Sequence, residues 1–268
     1  YSIGGNITYS RFWDWEQYKP RFSNSWDEYR NSIWHRVGYV NWGYEAIGRF
    51  QNWEQIANYP IDNDRKGNRT VVPGDIMYKD QNNDGVINYL DERPIGYRVD
   101  STPTLNFGIN LSASWKGFDL AMDWTGSGMT SWNQCYETAR PFQNDGNSPD
   151  EVLKDAWHLS DIWDANSPLI PGKYPMVRLN TDETSAYDKS SYWLHNVTYL
   201  KLRNLEVGYT FPKTWLNRTG ISNLRLFVSG TNLLTLSNLS VMDPECASDN
   251  GLDYPPMRVI NIGVNLKF

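Results

Sequence analysis

The segment Thr104-Leu105-Asn106-Phe107-Gly108-Ile109-Asn110-Leu111-Ser112-Ala113-Ser114-Trp115 places an apolar residue at every odd position and a polar or small one at every even position. A period of two marks a β-strand with one apolar and one polar face. Lys116-Gly117 interrupts the run, and the alternation resumes with Phe118, Leu120, Met122 and Trp124 against Asp119, Ala121, Asp123 and Thr125. Two such runs joined by two residues predict a hairpin. Trp115 and Phe118 flank the turn, where an aromatic girdle stands if that turn lies at a membrane surface.

The pattern recurs downstream. Leu205, Val207, Tyr209 and Phe211 alternate with Asn204, Glu206, Gly208 and Thr210 up to Pro212, and Leu224, Leu226 and Val228 follow after a short connection. Leu200 and Leu202 fall on the parity opposite to Leu205, which predicts a bulge near Arg203. A last strand runs from about Met257 to Phe268, and a first one covers roughly residues 1–12. In a soluble sandwich the polar face of such strands meets bulk water. In a transmembrane barrel the apolar face meets lipid and the polar face a lumen.

The connections between these strands are unequal. Some are a few residues long, whereas 126–197 and 237–256 are long and rich in Trp, Asn, Asp, Ser and Pro. Short turns at one end and long loops at the other are the asymmetry of an outer-membrane barrel. Loops of that length are uncommon in a compact soluble domain. Segments 25–35 and 149–159 predict short helices, the second with an acidic first turn.

Composition narrows the function. The chain has 268 residues, a net charge of −6 and no Lys/Arg run, which argues against nucleic acid as a partner. Its 13 Trp and 17 Tyr suit sugar-binding surfaces or membrane girdles. No apolar run approaches the length of a transmembrane helix, a criterion that leaves barrels untouched. Cys135 and Cys246 lie far apart in loop-like stretches, and one disulfide between them is left open. The sequence starts inside an alternating segment without an initiator Met or a signal peptide, so we expect a piece of a longer or processed protein.

The best-defined local motif is Asp80-Gln81-Asn82-Asn83-Asp84-Gly85-Val86-Ile87-Asn88-Tyr89-Leu90-Asp91. Side-chain oxygens at Asp80, Asn82, Asp84, Asn88 and Asp91, the Val86 carbonyl and a glycine at the sixth place match a calcium loop. Ca2+ is the expected ion, with Mg2+ as a second candidate. Asp91 stands where a longer Glu is usual, so a bound ion is held less fully. Ile87 is expected to anchor the loop on the core. The competing reading is an Asn/Asp-rich turn that binds nothing. Trp132, Trp157, Trp163 and Trp193 in the long loops are candidates to stack on a ligand, against the reading that they pack the loops together. His35, His158 and His195 show no metal or triad spacing, and there is no phosphate loop or nucleophile elbow, so no enzymatic chemistry is expected.

Four motifs carry a family resemblance. Gly74-Asp75-Ile76-Met77-Tyr78-Lys79-Asp80 running into the Asp80–Asn88 loop, Pro103 to Gly108, Tyr199 to Pro212, and Leu224 to Thr235 stand in the order found in SusC/RagA-type TonB-dependent transporters of Bacteroidota. Residues 74–268 resemble that family, whose last strand also ends in Phe. The resemblance implies an all-β fold: the C-terminal strands of a large antiparallel transmembrane β-barrel with long extracellular loops, in the outer membrane of a Gram-negative bacterium. Residues 1–268 are then an incomplete C-terminal portion, with the plug domain and N-terminal strands lying outside this chain. It further implies import of a glycan, oligosaccharide or peptide together with a SusD-like surface lipoprotein. The remaining implied partners are the remainder of the transporter chain, TonB through that remainder, and membrane lipid. The alternative is a soluble calcium-stabilised carbohydrate-binding β-sandwich. A secreted glycoside hydrolase would need two carboxylates facing each other across a cleft.

Overall fold

The computed structural model describes residues 1–38, 40–97, 103–179, 183–217, 220–246, 250–251 and 253–268. Six strands dominate: β1 (Ser2–Tyr9), β2 (Leu105–Trp115), β3 (Phe118–Asn133), β4 (Leu194–Thr210), β5 (Asn223–Ser237) and β6 (Val259–Lys267). They form one antiparallel sheet in which each strand lies beside its neighbours in the sequence. The β2–β3 turn is as short as predicted. Lys116 and Gly117 both take positive φ (49° and 90°), the mirror-image turn whose twist matches that of paired strands.

Register converts the sequence alternation into faces. Ala113, Leu120, Val207, Val228 and Ile262 are successive direct partners across β2 to β6 and so share one face. The next row toward the turn is Trp115, Phe118, Tyr209, Leu226 and Val264. The opposite face reads Ser112, Ala121, Glu206, Ser229 and Asn261. The apolar rows are not a core, since Val207, Val228 and Ile262 are all exposed, Ile262 by 83%. Among the described residues, no second sheet packs on this face, so a sandwich is not formed. Phe107 lays its ring over Gly126 in the next strand, where a Cβ would stand 2.2 Å from the ring.

The expected bulge is present. Between Leu202 and Asn204 the pairing of β4 shifts against both neighbours: Arg203 is an extra residue against β3 and stands opposite two residues, Asn232 and Leu233, of β5. Leu202 therefore shares a face with Trp124, and Asn204 shares the other face with Asp123, although 202 and 204 have the same parity. Without the bulge, every side chain on one side of it would be turned to the wrong face.

Two strands are longer than their alternation shows. β3 continues through Gly126 to Asn133 and β4 begins at Leu194, so both ends of the segment 126–197 are strand rather than loop. Ser127, Thr130, Ser131 and Trp132 are buried there. A strand end covered on both sides has no apolar-out, polar-in contrast to write into its sequence.

The short connections, 116–117 and 211–222, lie at one end of the sheet together with Tyr1 and Phe268. The connections 10–104, 134–193 and 238–258 lie at the other. The first two of these pack into a crown with its own core, where Tyr44, Ile76, Tyr78 and Ile87 meet Ala139, Val152, Tyr174, Ala186, Tyr187 and Trp193. Asn63, fully buried, donates to the Ile76 carbonyl at 3.0 Å and to Ser185 Oγ at 3.2 Å, so one amide joins the two connections. The predicted helices are Ser25–Asn31 and Asp150–Lys154.

Trp193 is 1% exposed, with its ring against Tyr174 and Tyr187 and its indole N–H donating to the Ala186 carbonyl at 2.9 Å. Trp193→Ala is expected to lower crown stability by about 3–5 kcal/mol, read from hydrogen exchange of crown amides. Trp163→Ala is expected to change it by less than about 0.5 kcal/mol.

Candidate functional site

Three places in the structure can meet a ligand: the 80–91 loop, the polar face of the sheet, and the loop tryptophans. The 80–91 loop follows the short strand Ile76–Tyr78 and ends in the one-turn helix Tyr89–Asp91, so the helix pair of a calcium sensor is absent. Ile87 is fully buried in the crown core, as its place in the loop predicts. Asp62 braces the loop from outside: its N–H donates to the Gly85 carbonyl at 2.8 Å and its carbonyl accepts from Ile87 at 2.9 Å.

Inside the loop, carboxylate oxygens of Asp80, Asp84 and Asp91 lie within 4.8 Å of one another. Each is oriented by backbone N–H groups. Asp80 accepts from Asn83 (2.6 Å) and Gly85 (2.8 Å), Asp84 from Val86 (2.9 Å), and Asp91 from Gln81 (2.8 Å) and Asn88 (2.9 Å). Gly85, at φ +83°, supplies the bend that turns the acids inward. Asn82 and Asn88 donate side-chain amide N–H to Asp84 Oδ2 at 2.8 and 3.3 Å. The Val86 carbonyl accepts from the Asn88 side chain at 3.2 Å, so an ion would share that oxygen. Three converging carboxylates without a Lys or Arg partner among the described residues are the donor set a hard divalent cation takes.

The hydrogen bond from Asn82, followed by that from the Val86 N–H, holds the Asp84 carboxyl below the ordinary aspartate value. A depressed carboxyl contributes stability above its unfolded value and loses it as the pH falls through the folded one.

The polar face of the sheet carries a charged network. Asp123 accepts from Asn110 at 2.7 Å and from Asn204 at 3.3 Å, tying three strands. Arg225 donates to Glu206 at 2.6 Å and, through Nε at 3.1 Å, to Asp119. Higher on this face, Lys201 Nζ contacts Asp243 Oδ1 at 2.6 Å and Glu245 Oε2 at 2.8 Å. Arg203 also pairs with Glu245 and donates to Thr125 Oγ1 at 3.0 Å and Asn232 Oδ1 at 3.1 Å. A groove of about 370 Å³ opens beside this cluster, lined by Asn6, Asn106, Asn110, Asp123, Arg203 and Glu245. The alternation placed Glu206 and Asp123 on this face. It gave no sign of Asp243 and Glu245, which sit in an aperiodic loop.

The tryptophans divide. Trp132, Trp157 and Trp193 are buried, their rings packed among the connections. Trp132 stacks on His195, and the ring of Trp157 covers Gly74 at the head of the Gly-Asp-Ile motif. Burying an indole in the crown stabilises it more than leaving the ring free for an absent ligand. Trp163 alone is open, 90% exposed. Cys135 and Cys246 are both half-buried, the first just past the end of β3 and the second beside Glu245.

No protein-family model matches the chain. Curated relatives do. The chain is 30% identical over 242 residues to TonB-dependent receptor P3 of Formosa agariphila, across 84% of its own length and 22% of the relative's. It is 24% identical over 252 residues to TonB-dependent receptor SusC of Bacteroides thetaiotaomicron, across 87% of its length and 20% of SusC. Among solved structures, that of the RagAB peptide transporter superposes with a TM-score of 0.62 at 21% identity, covering 99% of this chain and 26% of that one. The chain thus spans about a fifth of the length of the curated relatives it matches. The relatives are receptors and transporters rather than enzymes, and the six-stranded sheet is a fragment of their barrel fold.

Acidification is expected to speed exchange of the Val86 amide only below the ordinary aspartate range, because the bonds from Asn82 and Val86 hold Asp84 ionised, after correction for the intrinsic rate. Asp84→Asn, which cannot titrate, should lack that step.

Proposed function

Given that this chain groups with the SusC/RagA-type TonB-dependent transporters, we propose that it forms part of the wall and rim of an outer-membrane nutrient importer. The observation that carries the reading is the exposed apolar face of a six-stranded sheet whose strands pair in one continuous antiparallel ladder. Water is a poor neighbour for Val207, Val228, Ile262 and Leu266 together, whereas lipid is a good one. Strands β2 and β6, 11 and 9 residues long, match the roughly 9–11 tilted residues that cross a bilayer. Trp115, Phe118 and Trp215 are exposed beside the short connections, at the level of a girdle on the periplasmic side. No helix among the described residues is long and apolar enough to cross a membrane.

On this reading the polar face is the lumen wall and the crown faces the cell exterior. The nutrient is an oligosaccharide or a peptide. A SusD-like surface lipoprotein covers the crown, and TonB drives uptake through the part of the transporter outside this chain. The support is the relatives' kinship with SusC and the likeness to RagAB. Purifying the full-length transporter from outer membranes should bring a surface lipoprotein and its bound oligomer with it. Extraction of the full-length protein without detergent, as a soluble monomer, would overturn the reading.

Ca2+ or Mg2+ at the 80–91 loop belongs to the same proposal. Asp80, Asp84 and Asp91 would supply charge, and Asn82, Asn88 and Val86 neutral oxygens. An ion there stiffens the connection that carries Ile76, Tyr78 and Ile87 into the crown core.

Two outcomes follow. Val228→Arg, on the lipid face, is expected to destabilise the barrel by about 2–4 kcal/mol near mid-bilayer, whereas Ser229→Arg on the lumen wall is tolerated. Urea unfolding in lipid vesicles measures both. Chelation, or Asp84→Ala, should speed proteolysis of 74–95 without dissolving the barrel. Unchanged cleavage after chelation would remove the ion from the account.

A further inference from the structure

The third long connection behaves unlike the other two. Instead of joining the crown core, residues 239–246 fold down across the polar face of β3 and β4. Leu239, with Val241 and Met242 beside it, packs on Trp132, Val197 and Tyr199. Val197, Tyr199 and Lys201 alternate along β4 and share a face, and the direct partners of Lys201 are Thr125 and Thr235 on its two neighbours. The segment then turns at Asp243, whose Oδ1 accepts the Glu245 N–H at 2.9 Å. The turn delivers Asp243 and Glu245 onto Lys201 and Arg203.

Lys201 is 1% exposed, and its ammonium has three short contacts, all to carboxylates of this one segment. A buried ammonium stripped of its partners is strongly destabilising, so the segment and the lysine are bound to each other's position. The apolar anchor has no such requirement. One end of the segment is therefore held by packing and the other by charge, and only the second can be released while the first stays seated. Glu245, at the charged end, is also one wall of the groove beside Asn110 and Asp123.

We propose that residues 239–246 are an inward strap that narrows the lumen, with Lys201 as the positioning residue that clamps its acidic turn to the wall. The proposal rests on the barrel reading, because only there is the polar face a lumen. Lys201 touches no transported molecule. It sets where Glu245 stands, and thereby how much of the groove is open.

The test uses the full-length transporter in lipid nanodiscs and in cells. Lys201→Met keeps length and removes the charge. Hydrogen exchange of the 239–246 amides should rise about tenfold or more, while β2 and β3 amides stay protected. In cells, labelling of an added Asn110→Cys by a water-soluble maleimide should speed up severalfold over its rate without Lys201→Met. If Lys201→Met fails to assemble, Asp243→Asn, which removes one carboxylate charge from the clamp, serves instead and should give the same changes in smaller measure. Unchanged exchange in the strap would overturn the clamp. Faster exchange without faster labelling of Asn110→Cys would overturn its role in narrowing the lumen. Separately, Asn110→Cys should react with a water-soluble maleimide; failure there would sink the barrel reading while the exchange result still judged the clamp.

Discussion

Everything in this chain depends on one constraint: the backbone ladder holds six strands in a register that never lets the two faces mix. Ala113, Leu120, Val207, Val228 and Ile262 are separated by up to 149 residues of sequence, yet hydrogen bonding sets them in one row. A slip of one residue in any pair would bring a polar row such as Ser112, Glu206 and Asn261 to the apolar side. Lipid adds the second half of the constraint, because a backbone N–H or C=O facing hydrocarbon has no water to turn to. The sheet therefore satisfies its main chain internally first, and side-chain chemistry follows.

The crown shows what the strands alone do not supply. Connections of this length would be floppy unless they had a core, and the burial of Tyr78, Tyr174 and Trp193 provides one. Some polar groups inside that core are paired across the two connections. Tyr78 Oη donates to the Ser185 carbonyl at 2.7 Å, and Asp75, fully buried, pairs with Arg178. Burial pushes the Asp75 carboxyl above its ordinary value, against the pull of Arg178 beside it. The Gly-Asp-Ile-Met-Tyr motif thus has a structural account: Gly74 lies under Trp157, Asp75 meets Arg178, and Ile76 and Tyr78 enter the core.

How much of this was legible depended on whether a residue faced a contrast of environments. Leu105 to Trp115, Phe118 to Trp124 and Leu205 to Phe211 separate an exposed apolar face from a polar one, and their alternation gives strands, turn and bulge. Thr130, Ser131 and Trp132 are covered on both sides and carry no period, so their strand was read as loop. The calcium-type loop was readable because its oxygens recur at fixed spacing within twelve residues. The Lys201, Arg203, Asp243 and Glu245 cluster was not, since two of its members lie about forty residues from the others in aperiodic sequence. Trp157 and Trp193 were ambiguous as residues alone, because an indole that packs and one that stacks on a ligand are the same letter.

The bulge at Arg203 has a wider consequence. It sits opposite the irregular pair Asn232–Leu233, Asn232 at φ +54°, so β4 changes phase there while β5 keeps Leu226, Val228, Leu234 and Leu236 on one face. Below that level β4 turns its odd positions to the apolar face; above it, its even ones. A phase joint of this kind lets the two halves of the wall diversify separately. A residue gained or lost in the upper half can be absorbed at the joint, leaving the lipid-facing rows in frame. The connections above the joint are then free to change while the rows below it stay as they are.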